Sequence, residues 1–552
     1  MECGVPCPGL HPVREMVNPL LSKTKDFKEK LYMHHCLQKA LASVAAAAIA
    51  LLPVYPASAR DRDDSPTSTP IKHVVVIFQE NVSFDHYFGT YPHAKANNDG
   101  TNFFGGAKDD TPRVNSLESA GLLTNNPNGV NPFRIDRSNP NTCDQDHAYG
   151  DEQFAFHAGL MDRFVGTLPN GHPFSCNDPK LGANSTLGYY DGNTVTAMWN
   201  YAQHFAMSDN SFGTTFGPST PGLLNLVAGN TFEATITNGL GAGGNIAGAA
   251  TSGAVIGDPD PAGDVCSNPK RTQITMSGQN VGDLLNKAGV TWGSFMGGFA
   301  NCAAVSTGTT GLTTTDYIPH HAFFQYWQST LNANHTPRTS VAMIGHQGDA
   351  ANHEYDINDF WDAVKAHNLP AVSFLKARAI QDGHAGYSDP LDEQIFLVNT
   401  INALQQTNEW KETAVIILYD DSDGWYDHVM GPIVNQSNVT DDQLLGAGNC
   451  GTPKPVDANG TIQNGRCGYG PRLPLLVISP FARQNYVDHR VTDQSSVLRF
   501  IEDNWNLGRI GNGSTDAIAG RLNGLFDFDD AGHTHKLFLD PATGQILNSA
   551  TE

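Results

Sequence analysis

The sequence has few charged residues and especially few basic ones. Only 16% of its 552 residues are charged, and 33 Lys and Arg stand against 56 Asp and Glu, which gives a formal net charge of −23. Proteins that bind nucleic acid need basic surface to neutralise phosphates, so this balance argues against that class. The sequence also has no repeat period, no zinc-finger cysteine spacing and no amphipathic basic helix that would mark a membrane-docking face.

The sequence has no apolar run long enough to cross a bilayer. The run at residues 40–52 is too short, and it follows a basic segment that begins at Met33. Ala57-Ser58-Ala59 comes after it and matches the small-residue pattern of a signal-peptidase site. This order predicts a secretory signal peptide over residues 33–59, with a buried Ala-rich helix as the alternative interpretation.

Cleavage after Ala59 would remove a leader of residues 1–59 and leave a polar tether, residues 60–70, before the first predicted strand. We therefore expect an exported protein, periplasmic or secreted. The leader takes three of the nine cysteines, so six remain. An even number of cysteines in an exported chain predicts disulfides, although six cysteines permit fifteen pairings. Nearest-neighbour pairing would join Cys143 to Cys176, Cys266 to Cys302, and Cys450 to Cys467.

Short apolar runs in the sequence are typical of strands that are buried on both faces of a parallel sheet. They are His73–Phe78, Ser340–Ile344, Ala371–Leu375, Val415–Leu418 and Leu473–Ser479. Helical periodicity is present between Asp392 and Trp410, and again from Gln494 to Asn504. This alternation predicts an α/β sandwich with a mainly parallel sheet.

The 55 Gly and 32 Pro predict long ordered loops around these elements. Residues 100–141 are rich in Asn, Pro and Gly and are predicted to be a loop. Residues 238–262 interleave Gly and Ala, and we interpret them as a surface insertion. Between these two segments, Glu152, Phe156 and Phe164 fit a helical period.

Two of the predicted strands end in side chains that carry oxygen. Asp420 and Asp421 follow the Val415–Leu418 run, and Glu80 and Asn81 follow the His73–Phe78 run. In open α/β sheets, ligands bind beyond the carboxyl ends of the strands. Two adjacent carboxylates repel each other unless a cation lies between them, so we predict one metal site at this edge. A solvated turn or a helix cap is the alternative.

Residues 217–229 predict a short helix with Ser219 at its start, Pro221 in its first turn and Gly229 at its end. A serine exposed at the positive end of a helix is well placed to bind phosphate. Taken alone, such a serine is more often a structural cap. A metal that touched its hydroxyl would turn it into a nucleophile.

Three motifs together resemble the bacterial secreted acid phosphatase and phospholipase C family of the alkaline phosphatase superfamily. They are Glu80-Asn81-x-Ser83-Phe84-Asp85-His86-Tyr87-Phe88-Gly89, Gly217-Pro218-Ser219-Thr220-Pro221, and Asp420-Asp421 with Gly424-x-Tyr426-Asp427-His428. The likeness runs from about Ile71 to Phe526. It implies an alkaline-phosphatase-like fold, with a central mostly parallel β-sheet between helices and long loop insertions. It also implies a single catalytic domain over residues 71–552.

The resemblance implies a metal-dependent phosphoesterase in which Ser219 takes up the phosphoryl group. Glu80, Asn81, Asp420 and Asp421 match the family's metal-binding positions, together with the Ser219 oxygen. These ligands are all oxygens, which favours Ca²⁺ or Mg²⁺, with Zn²⁺ as the alternative because it also accepts carboxylates.

The resemblance also implies three active-site histidines that contact the phosphate or transfer protons. These are His147, His384 and His321, with His320 as the alternative to His321. The sequence departs from the family pattern at Val82, where Arg is usual, and at Asp421, where Glu is common. Asp427 and His428 fit the motif and are expected to orient the ligands.

The function implied by the resemblance is hydrolysis of phosphoric esters through a phosphoserine. We expect a phospholipase C that splits phosphatidylcholine-type lipids into diacylglycerol and a phosphorylated head group, with acid phosphatase activity alongside. Contact with the membrane surface would then be transient. One alternative is an acid phosphatase of small soluble monoesters, and another is a non-catalytic surface-binding protein on the same fold.

Overall fold

The computed structural model of the protein describes residues 65–240, 244–249, 252–452, 463–529 and 535–547. The predicted leader, its signal peptide and residues 60–64 of the tether lie outside the described residues. The described α-helices are α1 Phe84–Phe88, α2 Tyr149–Phe156, α3 Thr196–His204, α4 Ser219–Ala228, α5 Val281–Ala288, α6 Ile357–Lys365, α7 Pro390–Gln405 and α8 Gln494–Trp505.

Nineteen strands are described, most of them short. They are β1 His73–Gln79, β2 Phe133–Arg134, β3 Gly188–Tyr189, β4 Ala206–Ser208, β5 Ser211–Phe212, β6 Ala234–Ile236, β7 Ile246–Ala249, β8 Ser252–Val255, β9 Asp260–Pro261, β10 Gln273–Met276, β11 Trp292–Met296, β12 Val305–Thr307, β13 Thr313–Thr315, β14 Glu354–Asp356, β15 Val372–Lys376, β16 Thr413–Tyr419, β17 Leu475–Ile478, β18 Tyr486–Asp488 and β19 Thr492–Asp493.

Eight strands form the central sheet, in the order β14-β11-β15-β1-β16-β17-β4-β18. Only β17 runs antiparallel to its neighbours among these strands. The predicted mostly parallel sheet is therefore confirmed. Strand β1 lies between β15 and β16, with Val76 opposite Phe374 on one side and Ile416 on the other. Its register with β16 places Gln79 opposite Tyr419, so the residues after both strands leave the sheet at the same edge.

Caps and turn residues define the ends of the helices around this sheet. Asp389 caps α7 by accepting hydrogen bonds from the N–H groups of Leu391 and Asp392. Asp493 caps α8 together with Ser496 in a reciprocal pair. Both helices were predicted from periodicity, and both are confirmed.

Two expectations about the fold are wrong. The run Ser340–Ile344 is not a strand, because Val341–Met343 forms a single 3₁₀ turn. The described part of residues 238–262 is not a surface insertion. Their strands β7, β8 and β9 join β6 and β10 in a second sheet, and they bury residues such as Val255 and Ile256. Small residues allow this close packing even though their apolar surface is modest.

The three disulfides pair neighbouring cysteines, as expected: Cys143–Cys176, Cys266–Cys302 and Cys450–Cys467. Each closes a loop of moderate length, with sequence separations of 33, 36 and 17 residues. None of the helices in the part of the chain that the structure describes combines the length and apolar character needed to cross a membrane.

Candidate active site

The four predicted metal-binding side chains meet at the carboxyl edge of the central sheet. Glu80 and Asn81 follow β1, and Asp420 and Asp421 follow β16. The two chain segments are joined directly, because the N–H of Asn81 donates to Asp420 Oδ1 at 2.9 Å. All four residues are at least 97% buried. The structure therefore brings together residues that are more than 300 positions apart in the chain.

Ser219 lies against this acidic cluster. Its Oγ is 3.0 Å from Glu80 Oε2 and 3.4 Å from Asp421 Oδ2. Helix α4 begins at Ser219 itself, and Pro218 is the capping residue. The expected exposure of this serine is wrong, because only 2% of its surface is accessible. The hydroxyl thus sits inside the site, beside the carboxylates.

A glycine allows helix α4 to approach strand β16 this closely. A Cβ atom on Gly222 would lie 2.4 Å from the backbone oxygen of Asp420, far inside contact distance. Only a residue without a side chain permits this approach. Gly222 therefore sets the distance between the serine and the acidic cluster.

The amino end of α4 is less open to phosphate than the sequence suggested. The N–H of Thr220 donates to Asp258 Oδ1 at 2.9 Å, and Pro221 has no N–H to offer. Asp258 comes from the segment that the sequence analysis had placed on the surface. An acidic side chain therefore occupies the N–H of Thr220 at this helix end.

The donor set fits a hard divalent cation. Asn81 Oδ1 and Asp420 Oδ2 are buried and have no hydrogen-bond partner among the described residues. The amide of Asn81 is turned so that its nitrogen lies 3.4 Å from His147 Nε2 and 3.5 Å from Asp423 Oδ1. Burial and the neighbouring Asp420 raise the pKa of Asp421 well above its ordinary value. Unpaired oxygens and crowded carboxylates are what a bound Ca²⁺ or Mg²⁺ would satisfy.

His147 lies beside the proposed metal ligands. Its Nδ1–H donates to the carbonyl of Gln145 at 2.9 Å, and Nδ1 is 3.6 Å from Asp423 Oδ1. Burial alone would lower the pKa of His147, but the carboxylates of Asp421 and Asp423 raise it well above its ordinary value. The Cys143–Cys176 disulfide holds the segment that carries this histidine.

The other two predicted histidines occupy different positions. His384 faces His147 with ring centres 6.1 Å apart and stacks on Tyr387 at 4.3 Å. Burial lowers the pKa of His384 to about 4. His321 is instead buried behind the cluster, with its Nδ1 3.3 Å from Glu80 Oε1. The alternative, His320, lies 3.6 Å from Asp260, so His321 is the one that touches a proposed ligand.

The structure adds three residues that the sequence analysis did not assign to the site. Asp423 is fully buried and contacts His147, although it had been left without a role. Glu152 accepts hydrogen bonds from Ser422 Oγ at 2.7 Å and from the N–H of Gly217 at 3.1 Å. It therefore connects the serine loop to the acidic loop. Burial raises the pKa of Glu152 to about 7.

Lys376 is the third of these residues. It ends strand β15, and its ammonium group contacts Glu80 Oε1 inside the site. The rule that identified Glu80 and Asp420 applies to it equally, because the carboxyl end of β15 opens at the same edge. The signal was therefore present in the sequence.

Asp427 and His428 form a buried charged network with Asp85 and Arg472. Asp427 accepts the N–H of Asp85 at 3.0 Å and pairs with Arg472 at 3.1 Å. His428 Nδ1 contacts Asp85 Oδ2, and Arg472 is 3.2 Å from Asp85 Oδ1. This buried network joins the segments after β1 and β16, in line with the expected orienting role.

Comparison with known proteins gives a family. A model of the phosphoesterase family matches residues 71–508. The non-hemolytic phospholipase C of Pseudomonas aeruginosa is 25% identical over 79% of this chain and 54% of its own length. That of Burkholderia pseudomallei is 26% identical over 85% and 60%, and phospholipase C B of Mycobacterium tuberculosis is 24% identical over 83% and 78%. The chain thus spans about half the length of the first of these relatives.

Solved structures that are similar to this chain match it with low TM-scores. Murine ectonucleotide pyrophosphatase/phosphodiesterase 5 is 12% identical and has a TM-score of 0.29, with 60% of this chain and 95% of that chain covered. A protein in the alkaline phosphatase superfamily from Vibrio parahaemolyticus is 12% identical with a TM-score of 0.26, covering 75% and 80%.

Proposed function

The chain belongs to the phosphoesterase family, and we propose that it is an exported, metal-dependent hydrolase of phosphoric esters. We further propose that residues 71–552 form its catalytic domain and that its main activity is that of a phospholipase C, with acid phosphatase activity alongside. The observation that carries the proposal is the position of Ser219, whose buried hydroxyl is in hydrogen-bond reach of two carboxylates.

Ser219 is the proposed nucleophile. Glu80, Asn81, Asp420 and Asp421 would hold a divalent cation together with the serine oxygen. When bound, that cation supplies positive charge beside Ser219 Oγ and favours its alkoxide. As Ser219 Oγ attacks phosphorus in line with the leaving group, its proton passes to a neighbouring carboxylate, that of Glu80 or Asp421. The P–O bond to Ser219 forms as the bond to the leaving alkoxide breaks, and hydrolysis of the phosphoserine returns the proton to Ser219.

The two facing histidines are the proposed proton-transfer groups, because His147 contacts Asn81 and His384 faces His147. His147, which contacts Asn81, is the group that protonates the leaving alkoxide. It then accepts a proton from the water that hydrolyses the phosphoserine. His384 faces it across the site. His321 orients Glu80 and has no proposed proton-transfer role.

The proposed phospholipase C activity is supported by the relatives, which are phospholipases C by name. The same residues could cut a monoester, so the rival function is a phosphatase of small soluble substrates. A test compares p-nitrophenylphosphorylcholine with p-nitrophenyl phosphate, using the mature protein with and without a chelator. We expect a higher kcat/KM for the choline diester and loss of both activities in the chelator.

Ser219→Ala is the decisive variant in that comparison, and exposed Ser329→Ala is its matched control. Ser219→Ala should lose more than about 1,000-fold in kcat while keeping the wild-type melting temperature. A preference for the monoester would make the protein a phosphatase. Full activity in Ser219→Ala would overturn the mechanism, and no activity in any sample would favour a non-catalytic binding protein.

A further inference from the structure

Lys376 is a lysine buried inside an acidic site. Only 1% of its surface is accessible, and its ammonium lies over the ring of Phe78, 5.3 Å from the ring centre. The ammonium contacts Glu80 Oε1 and lies 4.0 Å from Asp420 Oδ2. A buried ammonium is costly unless it is paired, so its position is set by these carboxylates.

The contacts of Glu80 are divided between its two oxygens. Oε2 lies 3.0 Å from Ser219 Oγ, on the side of the proposed metal. Oε1 faces the opposite side, where it contacts Lys376 and lies 3.3 Å from His321 Nδ1. A carboxylate held at one oxygen has its other oxygen fixed in direction. Lys376 is thus in a position to fix the direction of Glu80 Oε2.

A second group of side chains that could hold a cation includes Glu80. Ligand atoms of Glu80, His321 and Asp382 lie within 4.8 Å of one another, which is close enough to share a cation. The ammonium of Lys376 already contacts Glu80 in this group. The lysine therefore supplies, from the chain itself, the positive charge that these groups require.

We propose that Lys376 is the built-in counter-ion of the acidic cluster and the positioning residue for Glu80. It keeps the carboxylates folded together before any metal binds, and it turns Glu80 Oε2 toward Ser219. This inference rests on the proposed function for its catalytic consequence, but its effect on the metal-free protein does not depend on that function.

A double-mutant cycle in EDTA tests the pairing directly. The melting temperatures of wild type, Glu80→Gln, Lys376→Met and the double variant are compared. Lys376→Met should lower the melting temperature by about 5 °C or more, because it leaves a buried carboxylate unpaired. Adding Glu80→Gln should recover most of that loss. Strictly additive losses, or a double variant that melts below Lys376→Met, would overturn the proposal.

If Lys376→Met alone does not fold, the double variant should still fold, and its failure to do so would also overturn the proposal. A second readout titrates Mn²⁺ and measures hydrolysis of the ester that the wild-type protein hydrolyses faster. Lys376→Met should need at least about 10-fold more Mn²⁺ for half-maximal activity and should lower kcat, with KM changed less than about 3-fold. An unchanged Mn²⁺ requirement would contradict the positioning role.

The two proposals fail separately. Coupling between Lys376 and Glu80 in a protein that hydrolyses neither ester would keep this inference and remove the proposed function. Hydrolysis that depends on Ser219, without coupling between Lys376 and Glu80 in EDTA, would keep the proposed function and remove this inference.

Discussion

The hydroxyl of Ser219 has two carboxylate neighbours, Glu80 and Asp421, and none of the described histidines lies within hydrogen-bond distance of it. A histidine base at that distance is the usual way to activate a serine, so this arrangement calls for a different activator. Carboxylates in turn attract a cation, which would touch the same oxygen. At the scale of single residues, the proposed chemistry therefore depends on the proposed acidic ligands as much as on Ser219.

Removal of the negative charge of one proposed metal ligand tests whether activity depends on the acidic residues. Asp421→Asn keeps the size of the side chain but removes its charge, and it should lower metal-dependent kcat/KM by more than about 100-fold, since even groups that only orient ligands cost about 10–100-fold. Exposed Asp109→Asn is the matched control and should behave as wild type. Assays over a Mg²⁺ or Ca²⁺ titration check this. Activity of Asp421→Asn at ordinary metal concentrations would exclude it as a ligand.

His428 gives a pH dependence to stability. Burial lowers its pKa, but the carboxylate of Asp85 outweighs this effect, so the pKa is raised above 6.5. A raised folded-state pKa means that the stabilisation is full below the unfolded value and is lost as the pH rises through the folded value. His428→Gln should therefore lower the melting temperature more at pH 5.5 than at pH 9.

Thermal melts of wild type and His428→Gln across this pH range check the sign, with exposed His172→Gln as the control. A difference that is constant over the range, or that grows toward alkaline pH, would contradict the charged pair with Asp85.

At the scale of elements, the site depends on how closely helix α4 meets the end of β16. Gly222→Ala would place a methyl group against the backbone of Asp420. Neither helix α4 nor strand β16 can move away without disturbing its packing. We expect a lower melting temperature and at least about 10-fold lower kcat, because Ser219 would move with its helix. Circular dichroism melts and ester hydrolysis measure both effects.

Gly105→Ala is the matched control for that substitution. The space around Gly105 is open, with no atom near the added methyl group among the described residues, so neither stability nor kcat should change. Wild-type behaviour of Gly222→Ala would show that the approach of α4 to β16 is looser than the structure indicates.

The strand ends were the part of the site that could be predicted from sequence. Apolar runs are buried strands when they pair on both sides, and polar residues after them collect at one edge, which is how Glu80 and Asp420 were found. The same pattern failed at Ser340–Ile344, because an apolar run alone does not show whether neighbouring strands are there to pair with it. Its backbone closes one 3₁₀ turn instead.

Contacts set by long-range packing could not be predicted in this way. Asp258 reaches Thr220 only because the Gly- and Ala-rich segment folds into the second sheet, and composition alone suggested a surface loop. Glu152 was visible as a helical residue, but its partners at Gly217 and Ser422 come from two distant loops. Lys376 also follows the strand-end rule, but only oxygen-bearing side chains were expected at this edge, and a basic side chain was not.

At the scale of the whole molecule, the net charge of −23 bears on the proposed activity toward lipid. Anionic lipid should repel the protein, and this repulsion is screened within about 10 Å at 0.1 M salt. Hydrolysis of phosphatidylcholine vesicles that contain phosphatidylglycerol should be at least about 3-fold slower than that of pure phosphatidylcholine vesicles at low salt. Added NaCl should reduce the difference. Stimulation by anionic lipid would instead indicate a basic docking face.

Trapping the covalent intermediate tests most directly whether Ser219 is the nucleophile. The protein and His147→Asn, in which hydrolysis of the intermediate should be slowed, are mixed with p-nitrophenyl phosphate, quenched in acid and digested for mass spectrometry. The account predicts a phosphate on Ser219, more abundant in His147→Asn and absent from Ser219→Ala. A phosphate on another residue, or turnover by Ser219→Ala without any label, would contradict it.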